Sequence, residues 1–86
     1  MRIAKAKQFE RQYKKLPAKT QKQFATRLKF YLENKNHSLL HVHSLKGKYI
    51  GLWSFNVTAD IRVIFDDSYE GILILIAIGS HSELYG

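Results

Sequence analysis

The stretch "ILILIAIG", residues 72–79, most limits what this chain can fold into. Seven aliphatic residues run up to a glycine and leave no polar side. A short apolar run of this kind, apolar on both faces, reads as a central strand. The segments before it supply neighbours. "YIGLWSFNVT" puts Leu52, Ser54, Asn56 and Thr58 on one face and Trp53, Phe55 and Val57 on the other. "DIRVIFDD" puts Ile61, Val63 and Phe65 on one face and Asp60, Arg62 and Ile64 on the other. "SYEG" is a turn signal. Three strands with short links predict an antiparallel meander.

The first half of the chain has a different period. Phe9, Tyr13 and Leu16 recur at helical spacing. Pro17 ends that segment and can open the next, because a first-turn proline loses no intrahelical bond. Phe24, Leu28, Tyr31 and Leu32 then repeat the stripe, and Asn34 and Asn36 suggest the stop. "RIAKA", residues 2–6, alternates weakly and reads as a short edge strand. The prediction is an α+β domain spanning residues 1–86: a strand, an αα-hairpin on one sheet face, then the meander. A chain of 86 residues allows one domain with a modest core.

Charge is unevenly placed. Residues 1–36 hold eleven Lys and Arg against two acids, net +9, while residues 37–86 are net −2. A basic half attracts a polyanion, with RNA, DNA or an acidic protein segment as candidates, unless it is only a solvated helix surface. The candidate RNA-binding side chains are Lys14, Lys15, Lys19, Lys22, Arg27, Lys29, Lys46 and Lys48. With no cysteine, disulfides and thiolate metal sites are excluded. No stretch approaches the roughly 20 apolar residues of a membrane span, and the N-terminus has no apolar signal region. A cytoplasmic protein with no membrane association is expected.

The residues able to do chemistry cluster late. His37, His41 and His43 lie in "NHSLLHVHSLKG", but without a nearby carboxylate or an HExxH spacing they read as a polar loop entering the sheet, with no metal expected. Arg62 sits inside a strand, where it either snorkels to solvent or faces an anion. Asp60 is on the same face and is a candidate partner for it. In "SHSE", Ser80 and Glu83 fit a capping box, which would place His81 and Tyr85 one helical turn apart while Leu84 docks on the core.

Taken in order, "HSLKG", "WSFNVTADIRVIF", the aliphatic strand and "IGSHSELYG" resemble the RelE/ParE toxin superfamily, nearest its RelE and YafQ branch, over nearly the whole chain. That resemblance implies a toxin of a type II toxin–antitoxin system that cuts mRNA in the ribosomal A site. It implies a cognate antitoxin, encoded adjacently, and a free toxin that is a monomer. Carried over, Arg62 matches the strand arginine at the scissile phosphate, and His81 the C-terminal catalytic histidine. Tyr85 matches the C-terminal aromatic that stacks on a base or assists proton transfer. His43 and Asp60 match active-site residues of the YafQ branch. The chain departs from both relatives at Asn56, where one has histidine and the other lysine, and at Ser54, where the second again has lysine.

The implied chemistry needs no cofactor. The RNA 2′-hydroxyl attacks the adjacent phosphorus and expels the 5′-oxygen. The protein must orient the sugar, move two protons and stabilise the phosphorane charge. Arg62 suits the charge, and histidine exchanges protons near neutral pH. His81 is favoured as acid, with His43 or Asp60 as base, although His43 in the acid role stays open. Tyr85 fits a stacking platform. The alternatives are a ParE-like gyrase inhibitor without nuclease activity and a non-catalytic module that binds RNA or antitoxin.

Overall fold

In the computed structural model, which describes residues 1–85, the aliphatic run forms β5 (Ile72–Ser80) in the interior of a five-stranded sheet. Its neighbours are β1 (Arg2–Lys5), parallel to it, and β4 (Ile61–Asp66), antiparallel. β3 (Trp53–Asn56) and the two-residue β2 (His43–Ser44) complete the order β1-β5-β4-β3-β2. β2 lies where the sequence reads as a polar loop. Its pairing with β3 is a tertiary event that two residues of pattern cannot announce.

Helices α1 (Lys7–Lys14) and α2 (Ala18–Glu33) cover one face. Pro17 caps α2 with an extended backbone, and the Gln21 amide closes the link by donating to the carbonyls of Tyr13 (3.1 Å) and Leu16 (3.3 Å). Phe9, Phe24 and Tyr31 are buried against Phe55, Val63, Phe65, Leu73 and Leu75. The rings interlock: Phe9 and Phe24 lie 5.5 Å apart, and Tyr31 meets Phe65 edge-on at 4.9 Å. Such pairs add about 0.5–1.5 kcal/mol each beyond area burial. Leu32 does not join this stripe. It is 46% exposed, one position round the helix from Tyr31.

The opposite face carries a second, smaller core of Leu45, Ile64, Ala77 and Leu84. It is roofed by the loop after β2, with a short 3₁₀ turn at Gly47–Tyr49, and by the five-residue helix α3 (His81–Tyr85). An irregularity in β5 feeds both cores. Ile64 pairs with Ala77, but Phe65 pairs with Leu75, so Ile76 is an extra residue in the ladder. A bulge of this kind reverses side-chain parity. Leu73 and Leu75 face the helices before it, and Ile78 faces them after it. Ala77 moves to the other core. Beyond the end of β1, the Ile78 N–H finds the Gln12 side-chain oxygen at 2.9 Å.

Tyr31 donates its hydroxyl to Asp67 Oδ2 at 3.2 Å. Burial first, then the neighbouring carboxylate and that hydrogen bond, push the phenol up to about 12 from 10.0. A group whose folded pKa is raised contributes stability that is intact below its unfolded value and lost above it. Denaturation midpoints of the wild type should therefore fall as pH rises from 10 towards 12. In Tyr31→Phe that fall should be smaller, and the tyrosinate absorbance titration should lose its component near 12.

Candidate active site

The sheet face away from the helices places two of the candidate catalytic residues, His43 and Arg62, in two rows set by register. One row runs His43, Ser54, Ile64, Ala77, and the other runs Asn56, Arg62, Gly79. Adjacent strands lie about 4.8 Å apart, so each row is a contiguous surface.

Arg62 is half-buried and donates from Nη1 to Asn56 Oδ1 at 2.7 Å. Asn56 is fixed in turn. Its N–H donates to the Leu40 carbonyl at 2.7 Å, and its own carbonyl accepts from Arg27 Nη1 at 3.2 Å. Arg27 also donates to the Leu39 carbonyl at 2.6 Å. Arg27 therefore spends its guanidinium tying α2 to the backbone, unlike the surface cation its sequence position suggests. Among the described residues, three buried polar atoms lack a partner: Arg62 Nε, Ser54 Oγ and Tyr85 OH. Ser54 and Arg62 lie on this face, and Tyr85 packs against its core. Unmet buried donors are rare enough to require a reason. For Arg62, an anion laid on the guanidinium edge is the chemically matched partner.

Asp60 does not fill the place expected for it. The chain bends over residues 57–60, and the Thr58 hydroxyl accepts from the N–H groups of Asp60 (3.2 Å) and Ile61 (2.9 Å). Such hydroxyl-centred turns are local competitors of strand geometry. They leave Asp60 exposed in the turn, and the Arg62 hydrogen bond goes to Asn56.

His43 is exposed on β2, with Nδ1 2.8 Å from the His41 carbonyl. A carbonyl only accepts, so Nδ1 carries the proton and neutral His43 presents Nε2 as a lone pair. His41 reaches this position with φ +49°, the only positive φ among described non-glycine residues. Strain of this kind is tolerated where surrounding contacts over-determine it.

At the end of β5 the capping box forms as the spacing predicts. Ser80 N–H donates to Glu83 Oε1 at 2.8 Å, and Glu83 N–H to Ser80 Oγ at 3.2 Å. These bonds hold the Glu83 carboxyl below its ordinary range. Gly79 lets the turn fold back: a Cβ there would meet Glu83 Oε1 at 3.2 Å. Leu84 is buried, and His81 stands exposed with its ring 4.7 Å from that of Tyr85. Tyr85 differs from the open stacking platform expected of it. Its ring is half-buried between His81 and Tyr49, and its hydroxyl is enclosed.

The cations divide between the two sides. Lys14, Lys15, Lys19, Lys22 and Lys29 are exposed on the helices, across the sheet from Arg62, although Lys15 comes near enough to Glu83 to favour its carboxylate. Lys46 and Lys48 stand exposed on the roof loop of the site face. A groove of about 420 Å³ at the other end of the sheet is lined by Tyr31, Lys35, His37, His41, Trp53 and Asp67 among others, and includes neither Arg62 nor His81. Among the described residues no three His, Cys, Asp or Glu groups converge to hold a metal, and no helix is long and apolar enough to cross a membrane. Sequence reasoning did not assign roles to Tyr49 or to Asn56 as the arginine's partner. Register reveals the second, and the packing of the 3₁₀ turn on α3 the first.

The chain is similar to YafQ from E. coli strain BL21(DE3), with 18% identity, full coverage of both chains and TM-score 0.82. It is also similar to a YoeB/ParE toxin from Agrobacterium tumefaciens, at 21% identity and TM-score 0.79 over 94% of this chain and 99% of that one. YafQ in the E. coli DinJ–YafQ complex matches at 18% identity and TM-score 0.77 over all of both chains. A sequence search of curated proteins finds no significant match. The family described as "Bacterial toxin of type II toxin-antitoxin system, YafQ" matches residues 1–86, and the chain belongs to it.

The capping box carries a pH prediction. A depressed carboxyl contributes order that is present above the ordinary value of 4.5 and lost as pH falls through its folded value. The Ser80 amide proton resonance should shift upfield on acidification, and Glu83→Ala should produce the same shift at neutral pH.

Proposed function

We propose that this toxin is a metal-independent endoribonuclease that cuts mRNA on the ribosome. The observation that carries the reading is Arg62: a half-buried guanidinium anchored at one end on Asn56, with its buried Nε unpaired, on a face shared with His43 and bordered by the His81 tail. A scissile phosphate on that edge would bring the phosphorane charge against a fixed cation. His43 Nε2 takes the proton from the 2′-hydroxyl as its oxygen bonds to phosphorus. The P–O5′ bond breaks, His81 protonates the departing 5′-oxygen, and a 2′,3′-cyclic phosphate remains. The His43 tautomer favours this division of labour over Asp60 as base. Lys46 and Lys48 would hold the mRNA backbone near the site, and the helix lysines would hold ribosomal RNA on the far side, by salt-sensitive phosphate contacts.

The action belongs in the cytoplasm, where ribosomes are, and is held in check by a cognate antitoxin encoded adjacently. The related DinJ–YafQ complex supports such a partner. The test uses translating ribosomes with a defined mRNA. Wild type should cleave it, and Arg62→Ala and His81→Ala should each lose roughly 10²–10³-fold in rate. Equal cleavage by His81→Ala would remove His81 from the mechanism. Inhibition of gyrase supercoiling with intact mRNA would favour the ParE-like alternative.

A further inference from the structure

Helix α3 has five residues, far fewer than an isolated helix needs to persist in water. Its start is held by the capping box and its middle by buried Leu84. Its end, where Tyr85 supports His81, needs a third anchor, and Tyr49 supplies it. The Tyr49 hydroxyl donates to the Leu84 carbonyl at 2.9 Å. That carbonyl belongs to the last turn of the helix, where acceptors have no intrahelical partner. The Tyr49 ring also meets Tyr85 edge-on, with centroids 5.6 Å apart and planes at 89°. The Tyr85 ring is in turn 4.7 Å from that of His81, tilted by 42°. Tyr49 is thus a C-terminal cap delivered from another part of the chain.

The loop that delivers it is braced. Leu45 N–H donates to the Leu52 carbonyl at 3.0 Å and closes the loop. Inside it, Leu52 N–H donates to the Tyr49 carbonyl at 3.0 Å and Ile50 N–H to the Gly47 carbonyl at 3.1 Å. Gly51, at φ +88°, makes the return that other residues resist. Leu45 and Leu52 pin the two ends to the core of the site face. The Lys48 ammonium lies 5.1 Å from the Tyr49 ring centroid. His43 begins the same segment, two residues before Leu45. One rigid bracket therefore links the strand carrying His43 to the tail carrying His81.

We infer that Tyr49 is a positioning residue, which sets His81 through Leu84 and Tyr85 and holds it in fixed relation to His43. The kinetic part rests on the endoribonuclease reading above, and the placement of His81 does not.

The test compares Tyr49→Phe and Tyr49→Ala in the full chain. Tyr49→Phe keeps the ring contact and loses only the hydrogen bond, so kcat should fall roughly 3- to 10-fold. Tyr49→Ala loses both and should fall roughly 10²-fold, with KM for the ribosome complex unchanged in each. In a His81→Ala background, Tyr49→Ala should add less than about 2-fold, because groups acting as a unit are not additive. An equal further loss in that background would overturn the inference, as would full kcat in Tyr49→Ala. The independent arm is NMR of the free toxin. The His81 ring protons, shifted by the neighbouring Tyr85 ring, should move to the values of a histidine with no ring neighbour in Tyr49→Ala, and by a smaller step in Tyr49→Phe, while β5 amides stay protected. Unchanged His81 shifts would overturn the positioning role even if the wild type cuts no mRNA. Absence of wild-type cleavage with the shifts as expected would reject the nuclease reading alone.

Discussion

The structure depends on β5 being buried on both faces. A strand with no polar side has to be covered twice, and this small chain does so with unequal means. The helix hairpin covers one face with an interlocked aromatic core. The other face receives only a braced loop and a five-residue helix. Under this thin cover Arg62 stays half-buried, with its Nε shielded from solvent. The Ile76 bulge is what allows one strand to serve both covers. It turns Ile78 towards the helices and Ala77 towards the site core, and it sets Gly79 opposite Arg62.

Across the sheet, Arg27 and Arg62 converge on Asn56 from opposite sides, one through the backbone carbonyl and one through the side chain. Two like charges would repel in a low-dielectric setting. Here both are oriented by a neutral amide residue that offers two acceptors. The electrostatic consequence is a half-buried cation whose direction is fixed before any ligand arrives, which is the condition for strong stabilisation of developing charge. Asn56 is in this chain an orienting group.

Much of this was legible in the residues themselves. The switch from helical to alternating period located both helices and the three meander strands. Pro17 marked the helix link, and the Ser80–Glu83 spacing gave the capping box. These features are local, since a few neighbouring residues determine each. The misreadings are of another kind. Leu32 lay too near the edge of the stripe for pattern to exclude it. Asp60 shared a strand face on paper, but a threonine hydroxyl bent the chain before the strand began. Arg27 counted as a surface cation until its carbonyl partners, 12 and 29 residues away, came within reach.

The sequence by itself determined the fold class, the central strand and which side chains are candidates for chemistry, because periodicity and residue chemistry are properties of short segments. Only the tertiary structure decided which atoms those side chains face. The bulge reverses parity by one residue, and no apolar run of isoleucine and leucine records where that happens. The Arg62–Asn56 pair depends likewise on register, and the Tyr49 cap on the Leu84 carbonyl on a contact 35 residues apart. They are consequences of packing, fixed only once both faces of β5 have been covered.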